Sequence, residues 1–508
     1  MGAIRTYTAL TLSEKRKNHD RLEGVSSKVT KIALYMPYAN WTPHFETDLE
    51  IAVNHLKQGD EVHTIQCRGD LPTCEVKENQ FRGICGYCTS RSDRGLDLIE
   101  LPPEHRHRLE LARFRPKDGE ITIPVFRTLA ELIDFKYDGA DIGEAVASSL
   151  VTQVRDHEPD FVRLRGRICR EILTSISIYR YFLWLLGDLK PEIFYVFNGR
   201  FASIRPALRA AQKLGIKSVT HERAGMPGKY ILIDGKLPQD LGWWKADIQH
   251  QWANVAPPVG RTREEVSEEW FQERRGGKDQ GWLSFTNTQI QGLLPQGFDL
   301  SKRNMVMFNS SEDELAAFAS WKNPLYRDQN EAIRALIEEK WGPEFHFWLR
   351  MHPNLTGLDN TQTRQLYTLA KKFPASFSII RPEESADTYH LMTASEKTIA
   401  FGSTTGLEAT YWGKPAILLG RAPYEDLSCA YQPGTHAEAV SLITQTLAPK
   451  TRESTLKFGY RQKMNGQEYK NFDWDSLFTG KFMGHEIKGS VLSRVGLKLS
   501  RHLGMLFQ

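Results

Sequence analysis

The stretch TIAFGSTTGLEATYWGKPAILLG, residues 398–420, decides the fold of this chain. It begins and ends with short apolar runs that have the length of buried strands, and a helical segment lies between them. The loop from Gly402 to Thr405 connects the first strand to the helix. A strand, a helix and a second strand in succession form the repeating unit of a parallel α/β sheet. The stretch therefore predicts such a sheet in this half of the chain.

The same rhythm recurs on both sides of this stretch. One series of strands and helices starts at residues 31–38 and resumes at 191–225. A second series starts at 303 and includes FHFWLRMHPN, residues 345–354. Because a chain of 508 residues exceeds the usual size of one domain, the two series indicate two α/β domains. The predicted parts are a flexible leader (1–27), a first domain (28–250) with a cysteine-rich insertion (67–95), a linker (251–300), a second domain (301–450) and a C-terminal helical segment (451–508).

The composition is that of an ordinary soluble globular protein. Lys and Arg number 66 against 62 Asp and Glu, for a formal net charge of +4, and 40% of the residues are hydrophobic. This balance argues against wholesale nucleic-acid binding. The longest apolar run, YFLWLLG at 181–187, is far too short to span a bilayer. The N-terminus lacks the apolar segment of a secretory signal, so we expect a cytoplasmic protein.

Two loops of the second domain carry groups that suit a phosphate. The carboxyl ends of parallel strands meet at one edge of a sheet, where ligands bind. The loop with Ser403 and Thr404 offers hydroxyls and a helix N-terminus, although both residues fit equally well as plain helix caps. Arg350 and His352 end a neighbouring strand and add a guanidinium and an imidazole. Glu408, one helical turn after Thr404, is placed to accept hydrogen bonds from a ribose.

These motifs resemble a known family. HPN followed about fifty residues later by GSTTGLEATYWGKPAILLG is similar to the nucleotide-sugar half of bacterial capsule and surface-polysaccharide glycosyltransferases with the GT-B fold. The FNGR and THERAG loops resemble the acceptor-side loops of that group, and the resemblance covers roughly residues 30–450. It implies two Rossmann-like domains that face each other across a cleft, with the cysteine-rich insertion in the first. The residues that match the nucleotide-sugar site are Arg350, His352, Ser403, Thr404, Thr405, Gly406 and Glu408.

The resemblance implies transfer of a sugar from a nucleotide-activated donor to a polysaccharide or lipid-linked acceptor. The chain has no Asp-x-Asp signature in a strand-end loop, so we expect basic side chains and helix N-termini, not a divalent metal ion, to stabilise the leaving group. An inverting transfer needs a general base, and Glu222 leads the candidates ahead of Glu46 and His44. Glu222 fits equally well as an ion-pair partner of a nearby arginine. The predicted acceptor-side residues are Asn198, Arg200, His221 and Arg223.

Four of the six cysteines lie within residues 67–88. Six residues separate Cys67 from Cys74, ten separate Cys74 from Cys85, and two separate Cys85 from Cys88. Four thiols in this spacing can surround a zinc ion or an iron–sulfur cluster. A closed four-thiolate site leaves no open position for substrate, so we expect a structural metal centre beside the cleft. Four unconnected thiols are the alternative.

The residues 485–507 predict a basic amphipathic helix, in which Lys488, Arg494, Lys498 and Arg501 alternate with apolar residues. Such a helix suits peripheral contact with the inner membrane, where a lipid-linked acceptor lies, or it packs back onto the protein. Two rival functions remain open at this point. One is a nucleotide-sugar epimerase of the same fold, and the other is a noncatalytic, metal-clamped assembly protein of the polysaccharide machinery.

Overall fold

A computed structural model describes residues 29–77 and 83–490. The first sheet contains five parallel strands in the order β3-β2-β1-β4-β5, extended at one edge by the antiparallel strands β6 and β12. This order, 3-2-1-4-5, is that of a Rossmann-type sheet. The strand order reverses between β1 and β4, because β2 and β3 follow on one side of β1, and β4 and β5 follow on the other. The strands are β1 (Lys31–Met36), β2 (Glu61–Gln66), β3 (Arg106–Arg108), β4 (Ile193–Phe197), β5 (Lys217–Arg223), β6 (Lys229–Asp234) and β12 (Gln467–Glu468).

Helices cover both faces of the first sheet. Strand β1 shows why, since its alternate side chains enter different cores: Ala33 and Tyr35 lie in one, and Ile32 and Leu34 lie in the other. This period of two is the signature of a strand that is buried on both faces. The helices are α1 (His44–Gln58), α2 (Gly83–Leu98), α3 (Leu129–Ile133), α4 (Ile142–Val154), α5 (Phe161–Leu189) and α6 (Arg205–Lys213).

The second sheet repeats the same topology. Its five strands are all parallel, in the order β11-β10-β7-β8-β9. The strand order reverses between β7 and β10, because β8 and β9 follow on one side of β7, and β10 and β11 follow on the other. Met305 and Val306 of β7 point into opposite cores, as in the first sheet. The elements are β7 (Arg303–Phe308), α9 (Gln329–Ile337), β8 (Phe345–Arg350), α10 (Thr361–Lys372), β9 (Phe377–Ile380), α11 (Thr388–Ala394), β10 (Lys397–Ala400), α12 (Thr405–Tyr411), β11 (Ala416–Leu418) and α13 (His436–Thr444).

Three further helices close the second domain. They are α7 (Leu241–Asn254), α8 (Arg263–Arg275) and α14 (Glu453–Met464). Their side chains Ile248, Trp270 and Phe458 belong to the same core as Val306 of β7. The predicted linker of residues 251–300 therefore differs from the structure, because part of it packs as core of the second domain.

The chain then returns to the first domain. After α14 it adds β12 to the first sheet and forms a hairpin of β13 (Phe472–Ser476) and β14 (Thr479–Phe482). Phe472 and Phe482 are buried in the first domain's core beside Ile32. Among residues 451–490, the described part of the predicted C-terminal helical segment, the helix is α14 and the chain continues as strands. The predicted amphipathic helix falls mostly on residues 491–508, outside the described residues, and Glu486–Ser490 are not helical.

The expected fold class is confirmed: two Rossmann-like α/β domains face each other across a cleft. Within residues 29–77 and 83–490, none of the helices is long and apolar enough to cross a membrane.

Candidate functional site

A cavity of ≈370 Å³ lies between the two domains. The first domain contributes the end of β5, with Glu222 and Arg223, and the second contributes the loops after β7, β8 and β10. Trp282 and Phe285, from the irregular segment after α8, form a further wall. The cavity therefore occupies the crevice at the carboxyl ends of the second sheet's strands, next to its point of reversal.

Arg350 and His352 form the β8 side of the cavity. Arg350 is the last residue of β8, is 5% exposed, and donates one hydrogen bond to the Arg381 carbonyl oxygen at 3.1 Å. The Nδ1 atom of His352 accepts a hydrogen bond from the Asn354 backbone N–H at 3.2 Å. Burial, with a smaller effect of Arg155, lowers the pKa of His352 to about 4. At neutral pH the imidazole is therefore uncharged, and Nε2–H is its free donor.

The loop after β10 presents hydroxyl groups. Ser403 Oγ accepts hydrogen bonds from the backbone N–H and the hydroxyl of Thr405, at 3.3 and 3.0 Å. Thr404 occupies the N-cap position of α12 without making a side-chain capping bond. Ser403, Thr404 and Thr405 all line the cavity. Gly406 is not among the cavity-lining residues: it packs so closely on Tyr424 that a Cβ would lie 2.6 Å from its hydroxyl oxygen.

Glu408 forms an ion pair with Arg274, a residue that the sequence did not indicate as part of the site. Its Oε1 accepts hydrogen bonds from Thr404 Oγ1 at 2.8 Å and from Arg274 Nε at 3.1 Å, and Tyr389 donates to its other oxygen. The carboxylate is 2% exposed. Burial lowers the pKa of Arg274, but Glu408 and Tyr389 outweigh this effect and raise it overall. The expected ribose acceptor thus has both oxygens engaged within the protein, where it orients Arg274 towards the cavity.

Glu222 and Arg223 form the opposite wall. Glu222 accepts hydrogen bonds from Asn198 Nδ2 at 2.6 Å and from the Arg223 backbone N–H at 2.9 Å. Arg223 donates from Nη2 to the Thr42 carbonyl oxygen at 3.1 Å, while its Nε and Nη1 are buried without a hydrogen-bond partner. Two unpaired guanidinium nitrogens beside a cavity are donors for an anionic or hydroxyl-rich ligand.

His44 lies behind Glu222, outside the cavity lining, with Nδ1 3.7 Å from the carboxylate. Burial, followed by Arg223 and His221, lowers the pKa of His44 well below its ordinary value. The imidazole is therefore neutral and contributes no charge to Glu222. Asn198 orients Glu222 through its amide, so it acts behind the cavity wall as well.

Three expected site residues have structural partners instead. Glu46 is 2% exposed and forms an ion pair with Arg91, although burial raises its pKa. His221 is fully buried and contacts Asp48 Oδ1 through Nε2 at 2.7 Å. Arg200 donates to the Glu314 carbonyl oxygen at 3.1 Å, which links the two domains. None of the three lines the cavity.

Helix α8 and the segment after it contribute to the cavity, which the sequence did not indicate. Trp270, Arg274, Lys278 and Phe285 all line the cavity. Helix α8 starts with a capping box of Thr262 and Glu265, so the helix itself was visible in the sequence. The position of its last turn against Glu408 is a long-range contact that no local pattern reveals.

No protein-family model matches the chain, and no curated protein matches it. Solved structures with a similar fold include the β-Kdo 2,4-transferase KpsC of Thermosulfurimonas dismutans, with 12% identity, a TM-score of 0.35, and coverage of 60% of this chain and 87% of that chain. They also include the UDP-GlcNAc 2-epimerase of Methanocaldococcus jannaschii in complex with UDP-GlcNAc and UDP, with 12% identity, a TM-score of 0.27, and coverage of 84% and 98%.

A third is the calicheamicin glycosyltransferase CalG4, with 9% identity, a TM-score of 0.25, and coverage of 94% and 98%. The group thus contains both glycosyltransferases and epimerases. Similarity at this level bears on neither activity nor substrate, so the residues of the cleft carry the functional argument.

Proposed function

We propose that the protein is a glycosyltransferase that moves a sugar from a nucleotide-activated donor to a glycan or lipid-linked acceptor of surface-polysaccharide assembly. One observation carries the proposal: a cavity between the domains brings Glu222 and Arg223 of one domain to the same space as Arg350, His352 and the Ser403 loop of the other. A group-transfer enzyme with two substrates needs such a cleft, because donor and acceptor must meet in it.

The second-domain wall binds the donor in this proposal. Arg350 supplies a buried positive charge for phosphate oxygens, and Arg274 supplies a second one from helix α8. His352 adds a neutral N–H donor, and the hydroxyls of Ser403, Thr404 and Thr405 add further hydrogen bonds. The positive charges of Arg350 and Arg274 stabilise the nucleotide phosphate as it leaves. A divalent cation has this role in other transferases.

The first-domain wall receives the acceptor. As the bond between the sugar and the phosphate oxygen breaks, an acceptor hydroxyl oxygen bonds to the same sugar carbon, and its proton passes to the Glu222 carboxylate. The Asn198 amide holds that carboxylate in place. Arg223 binds acceptor oxygens through its unpaired Nε and Nη1.

The donor part is tested by calorimetric titration with UDP, GDP, CMP and their sugars. We expect one nucleotide class to bind, and Arg350→Ala to weaken it by about 1.5–3 kcal/mol, the value of a hydrogen bond to a charged group. Arg364→Ala is the matched control, since Arg364 is exposed on α10 and is not among the residues that line the cavity. Failure of every nucleotide to bind contradicts the proposal and favours a noncatalytic assembly protein. Equal binding by both variants removes Arg350 from the donor site.

The catalytic part is tested with Glu222→Gln. This variant keeps the Asn198 neighbour but cannot take up a proton, so we expect normal donor binding and a loss of about 10²- to 10⁴-fold in transfer rate. Glu264→Gln, an exposed carboxylate on α8, is the control. Full turnover by Glu222→Gln rules out its role as base. Conversion of the donor sugar without any acceptor points to epimerisation in place of transfer.

A further inference from the structure

The four clustered cysteines come together in space around one small void. Cys67 follows strand β2, Cys74 lies in the loop after it, and Cys85 and Cys88 lie on the first two turns of α2. All four line the same cavity of ≈20 Å³, together with Pro37 from the loop after β1. Cys169 and Cys429 are not among the residues that line it. The convergence is therefore a property of the fold as well as of the sequence spacing.

The surroundings of the sulfur atoms suit thiolates that bind a cation. Backbone N–H groups face two of the sulfurs: those of residues 69–71 hydrogen-bond to Cys67, and those of Ala39 and Asn40 hydrogen-bond to Cys88. Hydrogen bonds from the backbone to sulfur are a common feature of thiolate-bound metal centres.

We propose that Cys67, Cys74, Cys85 and Cys88 hold a metal centre with four thiolate ligands, which fastens the loop after β2 to helix α2. Nothing else in the cavity competes for a soft cation, because its remaining lining is apolar apart from backbone and Lys77. The amine of Lys77 donates to the Leu71 and Pro72 carbonyl oxygens, so it closes the cysteine loop instead of occupying the void.

The spacing of the sulfurs leaves the kind of centre to be measured. Sulfurs around tetrahedral zinc lie about 3.8 Å apart, as the Zn–S distance of about 2.3 Å requires. Among the described residues, the sets of three ligand atoms within 4.8 Å of one another include none of these thiols. Binding of one zinc ion therefore requires the thiol side chains to move closer together, and an iron–sulfur core requires them to move apart, because it is larger than the void of ≈20 Å³.

The centre is connected to the cleft through the loop after β1. Cys88 Sγ lies 3.8 Å from the Pro37 carbonyl oxygen. Arg91, one turn further along α2, donates to the Ala39 carbonyl oxygen and to Thr42 Oγ1. The Thr42 carbonyl oxygen in turn accepts the hydrogen bond from Arg223, which lines the active cavity. The centre thus positions Arg223. This positioning role rests on the proposed function, whereas the existence of the metal centre does not.

The test starts from the full-length protein purified without oxygen. We expect metal bound by the four thiolates, either about one zinc ion per chain or iron and sulfide with the visible absorbance of an iron–sulfur cluster. Either result supports the four-thiolate site, and elemental analysis identifies the metal. Protein that contains neither metal, and that takes up neither on reconstitution with Fe²⁺ and sulfide or with Zn²⁺, overturns the site.

Cys85→Ser and Cys169→Ser form the matched pair of variants. We expect Cys85→Ser to lose most of the metal and to unfold at a lower temperature, since the free energy of metal binding is also folding free energy. Cys169→Ser should keep the metal of the wild type. If Cys85→Ser does not fold, the metal content of the wild type still decides. If the wild-type protein contains the metal but binds no nucleotide, the proposed function is wrong and the metal centre stands. If the wild-type protein binds a nucleotide but neither contains nor takes up metal, the metal centre is wrong and the proposed function stands.

Discussion

His352 shows how burial changes the chemistry that a sequence motif suggests. The HPN motif and its position after a strand predict an imidazole near phosphate, and the structure places His352 on the cavity wall. Its pKa of about 4, however, makes it a neutral donor instead of a cation. In the proposed donor site it therefore supplies one hydrogen bond to a charged phosphate, about 1.5–3 kcal/mol, and the positive charge comes from Arg350 and Arg274.

The lowered pKa of His352 makes stability depend on pH. As pH falls from 6.5 to 4, the imidazole takes up a proton in the unfolded chain but not in the folded one. The unfolded state then binds more protons, so acidification lowers the free energy of unfolding, by up to roughly 3 kcal/mol for a shift of this size. We expect His352→Gln to lose less stability than the wild type between pH 7 and pH 4.5 in urea unfolding.

The exposed His390 provides the control for this experiment. His390→Gln should follow the pH dependence of the wild type. If His352→Gln follows it too, the imidazole is not the group that responds to acid in this range.

Individual residues also mark where prediction from sequence stops. Ser403, Thr404 and Arg350 line the cavity as their strand-end positions indicate, because the topology of a parallel sheet fixes where those ends lie. Glu408 and Glu46 were expected to face ligands, yet each pairs one carboxylate oxygen with an arginine from a distant segment, Arg274 and Arg91 respectively. Sequence spacing gives a residue its place on an element but not its long-range partner.

Among the elements, the loop between β10 and α12 depends on one glycine. Gly402 has φ +105°, and a Cβ built on it would lie 2.8 Å from the Arg421 carbonyl oxygen. Gly413, at the other end of α12, has φ +75° and no atom within 4 Å of such a Cβ. The two glycines share the backbone requirement, and only Gly402 has a close neighbour as well.

We expect Gly402→Ala to destabilise the protein more than Gly413→Ala, which carries only the backbone strain of about 1–2 kcal/mol. The additional loss at Gly402, roughly 1–3 kcal/mol, comes from the clash with Arg421. Because the clash displaces Ser403, nucleotide affinity should fall for Gly402→Ala and stay normal for Gly413→Ala. Urea unfolding and calorimetric titration measure the two effects, and equal results for both variants would contradict the close contact.

The strands and helices of both sheets could be predicted from local sequence patterns far better than the segments that pack around them. Strands such as β1 and β8 and helices such as α5 follow from apolar runs and periodicity. Within residues 251–300 the helix α8 was visible in the sequence but its place in the fold was not, since Trp270 and Phe271 are buried by α14, a helix almost two hundred residues away. Polar, Trp-rich segments of this kind acquire their place only when the tertiary structure forms.

At the scale of the whole molecule, the C-terminal hairpin belongs to the first domain. Tyr469 Oη lies 2.6 Å from Thr47 Oγ1, and Glu50 accepts backbone N–H bonds from Lys470 and Asn471. Phe482 is fully buried in the core around Ile32. The second domain is therefore inserted between two parts of the first, and both connections run beside the cleft.

We expect Phe482→Ala to cost about 3–5 kcal/mol of unfolding free energy, as for other large-to-small changes in a core. Phe478→Ala, on the same hairpin but 45% exposed at that position, should cost much less. Differential scanning calorimetry measures both. A small effect of Phe482→Ala would show that the hairpin is a dispensable tail.

The insertion has a consequence for the order of events during synthesis. Domains commonly fold as units while the ribosome is still translating, the N-terminal one first. Here the first domain cannot complete its core until Phe472, Phe482 and Ile487 have left the ribosome, whereas the second domain has all its helices and strands by Met464. The first domain is therefore translated first but is expected to complete its folding last. For most of translation part of its apolar core surface remains uncovered, until residues 472–487 are available.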